Sequence, residues 1–193
     1  INILSDEIYE LILKKEFKHL SLASLATDLK ERIFIINGFA KGWAMTGWRV
    51  GYLVGKKEVI RASSALQSQS TSNVCSFVQR GALEALKINR EFFLEINSHY
   101  DLRREVLYKG LKNIKGLFIY PPNGAFYAFP RLPNNSMTSV EFCKKILNDY
   151  GLVVVPGKPF GDDQCIRISC ASSKEKILDG LTRLEKGILN YYF

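Results

Sequence analysis

No run of about eighteen or more consecutive apolar residues occurs in the 193-residue sequence, so nothing in it reads as a membrane-spanning helix. Cysteine is sparse. Cys75, Cys143, Cys165 and Cys170 include no C-x-x-C pair, and the two histidines, His19 and His99, sit near none of them. This spacing offers neither a disulfide framework nor a metal centre. Thiols of a reducing compartment are the simpler reading, and we expect a cytoplasmic protein with no metal. Cys165 and Cys170 are five apart on an expected strand, which would point them to opposite faces. Clustered charge is also lacking. The balance is basic, with 27 Lys and Arg against 19 Asp and Glu and a net charge of +8. The basic residues are scattered and interleaved with acids, so a solvated surface is expected rather than a nucleic-acid footprint. A signal-peptide pattern is missing too, because Ile1-Asn2-Ile3-Leu4-Ser5 runs directly into Asp6 and Glu7. The first residue is Ile, and the opening reads like mid-domain sequence, so we expect a piece of a longer chain.

What is present is a 47% hydrophobic composition, enough for a proper core in one domain or two small ones. Residues 1–4 and 33–36 read as buried strands, and 49–54 as another. The apolar spacing of 7–17 predicts a helix, while 21–31 is ambiguous. The connection from 33–36 to 49–54 is short, glycine-bearing and without helical period, so that pair is expected to be antiparallel. The stretch between the first two strands is long enough for a right-handed parallel crossover. Helices are expected over 58–66, 74–88 and 90–114, the last with Asn89 as its N-cap, and a polar loop over 68–72. After Lys115 the composition shifts. Strands over 117–120, 126–129, 153–155 and 165–168 are punctuated by the six prolines, all at position 121 or later, and helices cover 139–150 and 174–191. The expected organisation is an α/β portion over 1–89, a long linking helix over 90–114, and a small α+β domain over 115–193.

The most informative stretch is Gly38-Phe39-Ala40-Lys41-Gly42-Trp43-Ala44-Met45-Thr46-Gly47-Trp48-Arg49-Val50-Gly51. One lysine follows an apolar strand among small residues, and an arginine stands eight positions later. Any single lysine after a strand is most simply a surface residue. This setting suits a Schiff base with a phosphate-bearing cofactor, because small residues let a ring approach the backbone and an arginine fork can clamp a phosphate. The run resembles the lysine signature of the class I/II aminotransferases, at every position that signature specifies.

The resemblance implies fold type I: the C-terminal part of a large domain with a mixed, mostly parallel sheet, plus the small domain. It implies pyridoxal 5'-phosphate carried on Lys41, with Lys41 as the catalytic base and acid. Asp6, in Ser5-Asp6-Glu7-Ile8-Tyr9, matches the family's carboxylate for the pyridine nitrogen; by itself it could equally be a helix N-cap. Tyr9 matches the donor to the ring oxygen, although an ordinary helix-face aromatic would look the same. Arg49 matches the phosphate clamp. Arg167, in Cys165-Ile166-Arg167-Ile168-Ser169, matches the arginine that grips the substrate α-carboxylate. An arginine inside an apolar strand needs an anionic partner, and a structural ion pair is its other reading. Asn123-Gly124-Ala125-Phe126-Tyr127 and Val155-Pro156-Gly157 with Phe160-Gly161 resemble further small-domain segments, so the likeness covers nearly the whole chain.

Departures narrow the resemblance. Gly38 and Ala40 lack hydroxyls that the family often places before the lysine. The loop Gln67-Ser68-Gln69-Ser70-Thr71-Ser72-Asn73 lacks the arginine of dicarboxylate-specific animal-type enzymes and looks like the bacterial and plant-type aspartate aminotransferase branch. The family's N-terminal phosphate loop, ring-stacking aromatic and asparagine have no counterpart here, and its chains are about twice as long. The resemblance therefore implies amino transfer from an amino acid, plausibly aspartate, to a 2-oxo acid by a homodimeric enzyme, with this polypeptide inactive alone. Alternatives are another fold-type-I chemistry (lyase, decarboxylase or acyl transferase), a non-catalytic half, or a nucleic-acid binder.

Overall fold

In the computed structural model, residues 1–133 and 137–193 are described. The chain divides into two compact units, Ile1–Ile96 and Asn97–Phe193. The first holds strands β1 (Ile3–Asp6), β2 (Ile33–Gly38) and β3 (Gly51–Val54), with helices α1 (Leu22–Leu25), α2 (Lys57–Ser70) and α3 (Ser76–Ala85). Helix α4 (Arg90–Asn113) starts in this unit and ends in the second. The second unit adds β4 (Tyr127–Ala128), α5 (Ser139–Tyr150), β5 (Val155–Pro156), β6 (Ile166–Ser169) and α6 (Lys174–Tyr192).

In the first sheet, of order β1-β2-β3, β1 runs parallel to β2 and β2 antiparallel to β3. Both orientations agree with what the connection lengths predict. The crossover between β1 and β2 does not. Residues 7–17 form turns, not a helix. Their backbone closes i to i+3 bonds, Glu10 N–H to Glu7 C=O at 3.0 Å and Ile12 N–H to Tyr9 C=O at 2.9 Å. Ile12 is fully buried and Leu11 packs against Gly42, where an added Cβ would come within 2.7 Å of the Leu11 side chain. The apolar residues that suggest helical period are thus used by tertiary packing, which overrides local propensity.

The polar 68–72 stretch is also not wholly a loop, since α2 extends to Ser70. The hydroxyls are accommodated there by donating back to helix carbonyls, Ser68 Oγ to Ala65 at 2.7 Å and Ser70 Oγ to Leu66 at 3.1 Å. Asn89 caps α4 as expected, its Oδ1 accepting from Phe92 N–H at 3.3 Å.

The second sheet has order β4-β6-β5 with both pairs antiparallel. Expected strand 117–120 is reduced to an isolated bridge from Phe118 to Arg131. Pro156, expected as a terminator, pairs within β5, which lies at the edge of the sheet where a missing N–H is tolerated. Phe142, Ile146, Ile166, Leu184 and Ile188 are fully or almost fully buried in this unit's core. In the first unit the described buried cluster is small: Phe39, Ala82 and Ala85.

Candidate functional site

Strand register determines which residues meet at one end of the first sheet. Asp6, the last residue of β1, pairs with Ile36, and Gly38, the last of β2, pairs with Gly51, the first of β3. The C-terminal ends of β1 and β2 and the start of β3 therefore share an edge. Asp6, the turn carrying Tyr9, and the loop from Lys41 to Arg49 all issue from it. Gly38 is required here, because a Cβ would lie 2.8 Å from the Gly51 Cα and 2.9 Å from the Val50 carbonyl.

The Lys41 loop is anchored on both sides. Phe39 is buried and its ring lies 4.8 Å from that of Trp43. Trp43 donates its indole N–H to the Ala85 carbonyl of α3 at 2.9 Å. Backbone bonds close the loop, Phe39 N–H to Val50 C=O at 3.3 Å and Met45 N–H to Phe39 C=O at 3.2 Å. Two non-glycine residues, Ala44 (φ 53°) and Arg49 (φ 55°), adopt the left-handed conformation. Each costs roughly 1–2 kcal/mol, a strain that persists where surrounding contacts enforce it. At Arg49 one such contact is its own side chain, Nη1 donating to the Thr46 carbonyl at 2.9 Å.

Lys41 is half-buried, and its Nζ lies 5.8 Å from the Tyr9 ring centroid. Asp6 is exposed at the strand end and accepts from Ile8 N–H at 3.2 Å, so it caps a turn rather than a helix. Arg49 lines a cavity of about 390 Å³ with Trp48, Gln67, Thr71, Asn73 and Cys75. Next to Thr71, Ser72 is also left-handed (φ 60°).

Between Asp6 and Tyr9, Glu7 is turned inward and only 6% exposed. Its Oε1 accepts from Ser21 Oγ at 3.0 Å, Leu22 N–H at 3.2 Å and Ser5 Oγ at 3.2 Å, and its Oε2 lies 3.0 Å from His19 Nε2. Burial raises the pKa of this carboxyl. The bonds from His19, Ser21, Leu22 and Ser5 outweigh it and hold the group below its ordinary value. Glu10 also approaches, so that ligand atoms of Glu7, Glu10 and His19 lie within 4.8 Å, but both Glu7 oxygens are already engaged by the protein.

In the second unit, Arg167 lies on the central strand β6, in register with Val155. Its guanidinium carbon is 4.4 Å from the ring centroids of both Tyr127 and Phe160, within cation–π range of each. Its Nε is buried without a hydrogen-bond partner among the described residues. No ion pair accounts for Arg167 among those residues, so the structural-bridge reading gains nothing. The loop before Tyr127 is held from α4. Buried Arg104 donates Nη1 to the carbonyl of left-handed Ala125 at 2.5 Å and Nη2 to Asp101 at 2.6 Å.

The four first-unit candidates, Asp6, Tyr9, Lys41 and Arg49, thus issue from one sheet edge, and Arg167 belongs to the other unit. Sequence reasoning missed Glu7, Trp43, Arg104 and the rings around Arg167. Glu7, Trp43, Tyr127 and Phe160 each stand inside a quoted segment, whereas Arg104 carried no signal. The cysteines form no disulfide, and burial pushes the thiols of Cys143 and Cys165 up to about 11.

Comparison with known proteins bears on this arrangement. The profile of the family "Aminotransferase class I and II" matches residues 1–184. A probable aspartate/prephenate aminotransferase of Rickettsia felis is 38% identical over 96% of this chain and 48% of its own length. An aspartate aminotransferase of Pyrococcus horikoshii is likewise 38% identical, over 97% of this chain and 48% of its own. The crystal structure of an aromatic aminotransferase from Pyrococcus horikoshii superposes with a TM-score of 0.90 at 34% identity, covering 98% of this chain and 52% of that one. The chain spans about half the length of the curated relatives it matches. An α/β unit with a strand-anchored lysine loop, matched over almost all of its length by such proteins, belongs to the class I and II aminotransferase family.

Proposed function

We propose that the protein carrying this chain is a pyridoxal 5'-phosphate-dependent aminotransferase that moves an amino group from an amino acid, aspartate in the reading we favour, to a 2-oxo acid. The observation that carries this is the Lys41 loop. It is pinned by Phe39 and Trp43, strained at Ala44 and Arg49, and set beside Tyr9 at the edge where Asp6 ends β1. The residues present suit the cofactor. They offer an amine for the aldehyde, a carboxylate for the ring nitrogen, a phenol for the ring oxygen and a guanidinium for the phosphate. The backbone there is crowded so closely that only glycine fits at Gly38.

When bound, the cofactor supplies an electron sink for charge developing at the substrate α-carbon. Lys41 would hold it through its side-chain amine and would serve as base and then acid for the substrate α-proton. Asp6 would hold the proton on the ring nitrogen. Tyr9 would donate its hydroxyl to the ring oxygen, and Arg49 would clamp the phosphate. Arg167, preoriented by Tyr127 and Phe160, binds the α-carboxylate in a bidentate pair and so opposes its loss. Aspartate is supported by the names of the relatives and by a 67–73 loop without arginine. The layout of a large-domain portion over 1–89, a linking helix over 90–114 and a small domain over 115–193 is part of the same reading, as is a homodimer of the whole enzyme.

The test is an amino-transfer assay on protein expressed from its complete reading frame, with the cofactor, isotopically labelled aspartate and a 2-oxo acid acceptor. The expected products are the 2-oxo acid derived from aspartate and the aminated acceptor in equal amounts. Release of carbon dioxide or ammonia without amination of the acceptor would overturn the reading in favour of a decarboxylase or lyase.

A further inference from the structure

Glu7 is a charged group that none of the proposed steps uses. It is nearly fully buried, and burying a carboxylate is unfavourable unless donors replace its water. Here four do. Their origin is informative. One, Ser5 Oγ, comes from β1 itself. The other three, His19, Ser21 and Leu22 N–H, come from the far end of an irregular stretch that leaves the sheet after Asp6 and returns before α1. The Glu7 backbone N–H also donates to the Ile36 carbonyl of β2 at 2.9 Å, so the residue is fixed to the sheet on its own account. Glu7 therefore closes residues 7–22 into a loop whose ends are joined at one carboxylate. That loop has no helix or strand of its own before Leu22, and it carries Tyr9.

Strand alternation explains the division of labour. At the end of β1 successive side chains point to opposite faces. Asp6 is exposed at the edge and Glu7 turns inward, between Asp6 and the turn that carries Tyr9. We propose that Glu7 is a positioning residue for the cofactor site. Its carboxylate, held by His19, Ser21 and the Leu22 N–H, sets Asp6 and Tyr9 toward the Lys41 loop. This rests on the functional reading above, because a positioning role needs a cofactor to position. Groups that act on a ring nitrogen and a ring oxygen must be held within fractions of an ångström, and a loop without secondary structure supplies that only through such a tie.

The experiment compares the parent protein, expressed from its complete reading frame, with Glu7→Ala, Glu7→Gln and His19→Ala. Three quantities are read: pyridoxal phosphate affinity by titration, the pH midpoint of the bound cofactor's visible absorption, and the melting temperature without cofactor. Glu7→Ala is expected to weaken cofactor binding about ten-fold or more and to move the absorption midpoint, because Asp6 and Tyr9 tune the ring. Glu7→Gln keeps an acceptor for Ser21 and Leu22 and is expected to restore affinity to within about three-fold of the parent. His19→Ala removes one of four donors and should shift both cofactor readouts in the same direction by less, which keeps the test open if Glu7→Ala does not fold. If Glu7→Ala and His19→Ala melt lower yet bind cofactor with unchanged affinity and midpoint, Glu7 is a structural staple only and the proposal is overturned. If the parent itself binds no cofactor, the functional reading fails first, and that outcome is seen before any variant is compared.

Discussion

The Arg167 guanidinium carbon lies 4.4 Å from the ring centroids of both Tyr127 and Phe160, so two cation–π contacts hold the group. A lysine ammonium cannot form a two-pronged pair with a carboxylate. Arg167→Lys is expected to lower kcat/KM for the amino acid by about 100-fold while cofactor affinity stays unchanged, as steady-state kinetics and cofactor titration will show. Phe160→Leu, which keeps the charge and removes one ring, should cost about five-fold in the same parameter. Glu7 gives a pH prediction with a definite sign. Its folded pKa lies below the ordinary value of 4.5, so its contribution to stability is complete above that value. The contribution is lost as pH falls from 4.5 through the lowered folded pKa. Thermal melts from neutral to acidic pH should fall more steeply below 4.5 for the parent than for Glu7→Gln; parallel curves would contradict this. The candidate residues in the first unit could be named from sequence because they fall in one motif and in the segment that ends β1. Glu7 and the rings around Arg167 were less so, because their roles depend on partners 7 to 40 positions away that only folding brings near.

Gly38 and Gly47 bracket the Lys41 loop but meet different surroundings. An alanine Cβ at Gly38 would press on the β3 backbone at 2.8 Å, whereas nothing lies within 4 Å of one at Gly47. Gly38→Ala is expected to destabilise by about 1–3 kcal/mol and to loosen the loop. Gly47→Ala should change the unfolding midpoint in denaturant little. At the other end of the chain, α5 starts with a capping box. Thr138 accepts from Glu141 N–H at 3.2 Å, and Thr138 N–H donates to the Glu141 carboxylate at 2.8 Å. Thr138→Ala should cost about 1 kcal/mol in denaturant unfolding. Elements that satisfy themselves locally were readable from sequence. Helix α5 begins and ends where its pattern predicts, and the parallel and antiparallel partners of β2 followed from connection lengths. Elements governed by distant contacts were not. Residues 7–17 have a helical apolar period, yet Glu7 draws the chain back on itself, and Phe118 to Tyr120 find a single bridge in place of a strand.

The two units differ in how much they bury. The second has a continuous core around Phe142, Ile146, Ile166 and Leu184. The first leaves Leu4, Leu66, Phe77 and Leu86 more than half exposed. In this chain by itself, amides of α5, α6 and β6 should therefore exchange with deuterium far more slowly than those of α2 and α3. Equal protection across both units would contradict this distribution of stability. Family membership and the α/β class were visible in one motif and its flanking strands. The relative burial of the two units was not, since it depends on which faces find partners. Lys41 carries the proposed chemistry, and one measurement tests its role most directly. Protein expressed from its complete reading frame is mixed with pyridoxal phosphate, reduced with borohydride, digested and mapped by mass spectrometry. The account predicts the cofactor's mass on the peptide containing Lys41 and its loss in Lys41→Ala. An adduct that persists in Lys41→Ala, or none in the parent, would contradict it.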